Sequence, residues 1–153
     1  MLRKFIAFAI LLVIAVSCKE EEKVDYGPID KKIIEDYLAA NNLTAQTTAS
    51  GLYYSIHAPG AANHPTITSS VSVNYKGYLT DGTVFDSSYP TGKPYEGDLR
   101  GLVAGWQEGL QLIGVRGKIQ LFVPSALGYG ETGKGLVPPN SVMIFEIELV
   151  DYY

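Results

Sequence analysis

The residues able to do chemistry in this chain are few: the pair Phe85-Asp86, the histidines His57 and His64, and one cysteine, Cys18. Phe85-Asp86 ends the stretch VNYKGYLTDGTVFDSS (73–88), where an alternating strand runs into an Asp81-Gly82 turn and delivers an aromatic beside a carboxylate. A strand core accepts the phenylalanine, but an aspartate pressed beside it is costly unless something needs it. The histidines have no cysteine or acidic cluster spaced for a metal. No nucleophile-elbow sequence supplies a hydrolytic serine. GYGETGKG (128–135) fits two phosphate-binding spacings, through Gly128, Gly130 and Gly133 and through Gly128, Gly133 and Lys134. Both spacings need a helix N-terminus to follow. Here LVPPN follows, Pro138-Pro139 cannot continue a helix, and Gly135 stands where a magnesium-binding Ser or Thr would be. Nucleotide and metal chemistry are not expected, and nothing is laid out for breaking bonds.

The elements that must position Phe85 and Asp86 follow from periodicity. LYYSIH (52–57), VSVNYKGYL (71–79), KIQLFV (118–123) and VMIFEIELV (142–150) alternate with period two and read as strands. Val71, Val73 and Tyr75 share one face, as do Met143, Phe145, Ile147 and Leu149, with Glu146 and Glu148 opposite. One face buried and one wet argues for an antiparallel sheet. Among these strands one short helix intervenes, VAGWQEGLQLI (103–113), with Trp106, Leu110 and Ile113 on one side. The expected fold class is α+β: a twisted antiparallel sheet wrapped against one short helix, with an N-terminal helical extension. That extension is PIDKKIIEDYLAANN, in which Asp30 is placed to cap, Ile29 to staple onto Ile34, and Ile33, Ile34, Tyr37 and Leu38 to form the apolar stripe.

The first twenty residues carry a different signal. Arg3 and Lys4 precede an apolar run from Phe5 to Val16, twelve residues where a membrane-crossing helix takes about 20. This pattern predicts an export signal over 1–17. AVSC resembles a bacterial lipobox, which implies cleavage before Cys18 and acylation of its thiol, each buried CH₂ of the acyl chains contributing about 0.8 kcal/mol of membrane anchoring. The following Lys-Glu-Glu-Glu resembles the acidic export signals of lipoproteins displayed on Bacteroidetes cell surfaces. The expected organisation is therefore a signal (1–17), an acidic tether (18–28), a helix and connector (29–49) and the main domain (50–153). Without the signal the chain holds 10 Lys+Arg against 16 Asp+Glu, a balance that makes it a poor nucleic-acid ligand. Localisation is expected at a bacterial outer membrane, with the cell surface as one possible face.

Four motifs then fall in one order: VNYKGYLTDGTVFDSS, VAGWQEGLQLI, VPSALGYGE and GLVPPNSVMIFEIELVD. Together they resemble the FKBP-type peptidyl-prolyl cis–trans isomerases, over about residues 50–151, which implies an antiparallel half-barrel sheet around the short helix. The resemblance implies a proline pocket lined by Tyr75, Phe85, Tyr95, Leu102, Val103, Trp106, Tyr129 and Phe145. Trp106 would be its floor, Phe85 and Phe145 the walls nearest the rotating bond, and Asp86 a polar fixture at the edge. The Tyr129 hydroxyl and the Val103 N–H would donate to substrate carbonyls, and Leu136 and Val137 would border the pocket. It also implies proline-containing polypeptides as substrates, macrolide inhibitors as pocket ligands, and no cofactor. Three departures stand out: Tyr95 replaces the family's usual phenylalanine, Gly97 an apolar residue, and Arg116 a glycine in GVRGKIQ.

This chemistry would explain why no reactive group is needed. Resonance stiffens the amide against rotation by roughly 18–20 kcal/mol, so X-Pro exchange takes tens to hundreds of seconds. The planar amide is more polar than the twisted one, so an apolar box disfavours the planar ground state. Asp86 would orient the swinging carbonyl or hold Tyr129 or another neighbour. The competing expectation is a chaperone of the same fold that binds unfolded chains and catalyses little.

Overall fold

A computed structural model describes residues 24–153. The expected export signal, Cys18 and most of the tether lie outside these described residues.

The chain begins with helix α1 (Tyr26–Ala40), which starts earlier than its sequence suggests. Asp25, not Asp30, is the cap, its side chain accepting the Gly27 N–H at 2.9 Å. Asp30 lies one turn inside, fully buried, and Ile29 is 42% exposed, so no staple forms there. The buried line of the helix is Asp30, Ile34 and Leu38, with Tyr37 partly covered and Ile33 on the open side. Asn42 ends the helix in the left-handed region at φ 53°, and the Leu43 N–H returns to the Leu38 carbonyl at 2.9 Å.

Seven antiparallel strands follow: β1 (Gln46–Thr47), β2 (Tyr53–Ala58), β3 (Ser70–Leu79), β4 (Val84–Ser87), β5 (Tyr95–Asp98), β6 (Lys118–Val123) and β7 (Met143–Tyr152). They form one open sheet in the order β1-β2-β6-β7-β3-β4, with β5 also pairing with β3. The four strands read from periodicity are β2, β3, β6 and β7, within a residue or two at each end. The three others are short. The helix expected over 103–113 is α2 (Ala104–Gly109) followed by a tighter 3₁₀ turn at 110–112.

The main core lies between α2 and one face of the sheet, where Val71, Val73, Leu121, Met143, Ile147 and Leu149 meet Leu110 and Ile113. A Cβ on Gly105 would come within 2.7 Å of Val123, and one on Gly109 within 2.6 Å of Leu121. Glycines one turn apart thus let α2 press against β6, which brings Trp106 down to the sheet. The other face is not simply wet, as the alternation suggested. Tyr53, Tyr78, Phe122, Val142 and Ile144 point outward and are covered by Ile34 and Leu38 of α1. Beyond that patch the outer face is polar, with Lys76 paired to Glu146 and Lys118 to Glu148.

Candidate functional site

Phe85 and Asp86 are neighbours in sequence, so in a regular strand they would face opposite sides of the sheet. The β3–β4 register prevents this: Gly77 faces Asp86 and Tyr78 faces Val84, leaving Phe85 as an extra residue in a bulge. The bulge turns both side chains toward one cavity. Gly77 makes the arrangement possible from below. A Cβ there would lie 2.7 Å from the Phe85 ring and 2.8 Å from that of Phe145, so both rings rest on bare backbone.

The cavity holds about 220 Å³ and is lined by Tyr75, Phe85, Asp86, Tyr95, Gly101, Leu102, Val103, Trp106, Tyr129, Lys134 and Phe145. Its aromatic rings stand edge to face: Tyr75–Trp106 at 4.9 Å, Trp106–Phe145 at 5.3 Å and Phe85–Phe145 at 5.5 Å between centroids. Tyr95 joins from β5, 6.5 Å from Trp106. Its ring folds over Gly97, whose Cβ would sit 2.7 Å from the Tyr95 hydroxyl. The glycine that departs from the family pattern therefore makes room for this tyrosine.

Inside the cavity the Asp86 carboxylate has a partner, Tyr75. The Tyr75 hydroxyl donates to Asp86 Oδ2 at 2.6 Å, while Oδ1 accepts the Ser87 N–H at 2.9 Å. Burial, and next the bond to Asp86, push the Tyr75 phenol above the usual tyrosine range, so it remains a donor at any ordinary pH. Among the cavity's donors with no acceptor in the described residues are the Tyr129 hydroxyl, the Val103 N–H and the buried indole N–H of Trp106. Val103 instead caps α2 through its carbonyl, which accepts from Trp106 and Gln107.

Of the residues singled out by sequence, Asp86, Tyr129, Phe85, Phe145, Tyr75, Tyr95, Leu102, Val103 and Trp106 surround this one cavity. Leu136 and Val137 do not line it. Leu136 is 65% exposed, and Val137 is buried in the core, because the tight turn pairing Lys134 with Val137 swings the first outward and tucks the second under. Sequence reasoning missed Gly101 and Lys134. Lys134 belongs to the glycine-rich stretch 128–135, and its ammonium sits 5.3 Å over the Tyr129 ring. Cys18 lies outside the described residues.

Comparison with known proteins places the fold in a family. Residues 61–150 match the family model for FKBP-type peptidyl-prolyl cis-trans isomerases. A relative of that type from Aeromonas hydrophila, FkpA, is 45% identical over 118 residues, covering 76% of this chain and 44% of its own. The crystal structure of FkpA from Escherichia coli superposes with a TM-score of 0.74 at 38% identity, over 84% of this chain and 61% of that one. A peptidyl-prolyl cis-trans isomerase structure from Pseudomonas syringae gives 0.69 at 28% identity, over 85% of this chain and 98% of that one. The chain belongs to the FKBP-type peptidyl-prolyl cis–trans isomerase family. It spans a little under half the length of curated relatives such as the A. hydrophila protein.

Proposed function

We propose that this protein accelerates rotation about X-Pro bonds in polypeptide substrates by seating the proline ring over Trp106. The observation that carries the reading is the meeting of Tyr75, Phe85, Trp106 and Phe145 around one cavity of about 220 Å³ whose wall bears one carboxylate. In such a box the planar amide loses the water that stabilises its charge separation, and the twisted form loses less. A 10⁴-fold gain needs about 5.5 kcal/mol, a demand that desolvation and fit can meet together. The free donors at Tyr129 and Val103 would hold the substrate's carbonyls on either side of the bond. Asp86, kept in place by Tyr75, would act on the carbonyl that swings, through its charge rather than by proton transfer.

The test is turnover of proline-containing tetrapeptides by the purified chain, with and without a macrolide of the kind that fills this family's pocket. Catalysis abolished by the macrolide is the expected result, and D86A should lower kcat/KM by about tenfold or more. Suppression of aggregation without turnover would replace catalysis by chain holding. Unchanged proline-limited refolding with both D86A and Y129F would remove the roles assigned to those side chains.

The same proposal extends to place. The signal-like start, AVSC and the acidic run after it support an exported lipoprotein held to an outer membrane through Cys18, acting on exported polypeptides. Acyl labelling of the wild-type chain, lost with C18S, tests the anchor. Protease shaving of intact cells tests surface display.

A further inference from the structure

We infer that Asp30, on the N-terminal helix, is a positioning residue for the pocket: its buried carboxylate fixes the loop that carries Tyr129. This rests on the role proposed above for Tyr129. Asp30 is 1% exposed, in line with Ile34 and Leu38 on the face of α1 that meets the sheet. Its Oδ2 takes both hydrogens that Ser125 offers, from the N–H at 2.8 Å and from the hydroxyl at 2.6 Å. Its Oδ1 is equally buried and has no hydrogen-bond partner among the described residues. Ser125, itself 2% exposed, opens the 3₁₀ turn that leads to Tyr129. The turn is closed on itself by Leu127 N–H to the Pro124 carbonyl at 2.9 Å and Gly128 N–H to the Ser125 carbonyl at 3.0 Å. A shift at Ser125 is therefore passed along four residues to the tyrosine.

Adhesion alone does not account for an acid at this position. A helix that needed only to stick to the sheet would place a third apolar residue in line with Ile34 and Leu38, because a buried carboxylate with one bare oxygen is costly. The carboxylate provides direction instead: one oxygen, two donors, one orientation of the turn. Direction matters for Tyr129 because its hydroxyl has no hydrogen-bond partner among the described residues; its ring packs at the edge of the core and under Lys134, and the loop sets where the hydroxyl points. The helix also lies ahead of residues 61–150, the part matched by the family model, so a segment outside the shared module would tune the module's pocket.

The experiment is a double-mutant cycle between D30A and Y129F, read by kcat and KM on a proline tetrapeptide with the full chain. D30A is expected to lower kcat/KM about tenfold, as a misplaced group near the reacting bond does, and to change it less than twofold when Y129F is already present. D30N should restore most of the loss, since the amide oxygen can take both Ser125 hydrogens. I34A, which loosens the same helix without touching Ser125, should leave kcat/KM unchanged at temperatures where it stays folded. Effects of D30A and Y129F that multiply independently, or an equal loss in I34A, would overturn the inference while leaving the pocket reading intact. A silent Y129F would remove the role of Tyr129 and this inference with it. Should D30A not fold, the same cycle run with S125A decides between these outcomes.

Discussion

The 2.6 Å bond from Tyr75 to Asp86 is the most specific single interaction in the cavity, and it separates two jobs of one tyrosine. The ring packs on Trp106; the hydroxyl fixes the acid. Tyr75→Phe keeps the first job and deletes the second, so macrolide binding should change little. Turnover of tetrapeptides should fall about tenfold, the size of effect that one charge-assisted hydrogen bond supplies. Equal turnover in the variant would disconnect that bond from catalysis. A second residue-scale prediction concerns Arg116, which holds φ at 66° where L side chains are strained. Arg116→Gly should raise stability by about 1 kcal/mol, visible as a higher urea midpoint at constant slope. At this scale the sequence was legible where motifs are local and silent where partners are remote. The aromatic residues and Asp86 could be named because the local motifs that carry them resemble those of a known family. Asp30 was misread as a cap because a carboxylate before Lys-Lys-Ile-Ile satisfies the local rule, whereas its true partner is 95 residues away.

Among the elements, β4 does more than its four residues suggest. Its bulge depends on the bare backbone of Gly77, so Gly77→Ala should push Phe85 and Phe145 apart, lowering both stability and macrolide affinity. An unaltered affinity, measured by titration, would show that the rings adjust at no cost to the pocket. Helix α1 contributes by burial: Ile34→Ala removes a side chain at 1% exposure and should cost about 2–4 kcal/mol by urea unfolding. The long strands were readable because each repeats its pattern over several pleats, and the short helix because Trp106, Leu110 and Ile113 fall on one side. Strands β1, β4 and β5 were not, having two to four residues apiece and exposed or glycine positions where alternation would need apolar ones. Nor could alternation show that Phe122 and Ile144 face α1, because a strand apolar on both faces has lost its period.

The molecule as a whole has an alkaline limit set by its tyrosines. Burial first, and hydrogen bonds to Asp86 and Glu146 next, raise the Tyr75 and Tyr78 phenols in the folded state above the roughly 10 of an unfolded chain. The folded protein therefore keeps protons that the unfolded one releases. Their contribution is complete below about pH 10 and is lost as the pH climbs past it, at about 1.4 kcal/mol per pH unit for each tyrosine. Unfolding free energies measured from pH 8 to 11 should be level and then fall. The Y75F/Y78F variant, though less stable at pH 8, should show a flatter decline, and an identical slope in both proteins would refute the assignment.

The strand order has one more outcome, in time rather than in space. Of the seven strands, β7 comes last along the chain and sits in the middle, the sole bridge between β1-β2-β6 on one side and β3 with β4 and β5 on the other. A polypeptide leaving a ribosome or threading a pore from its first residue thus accumulates two orphan half-sheets that cannot close. It also lacks Phe145 until the final strand slots in. Until β7 is in place, a nascent copy therefore holds no finished pocket.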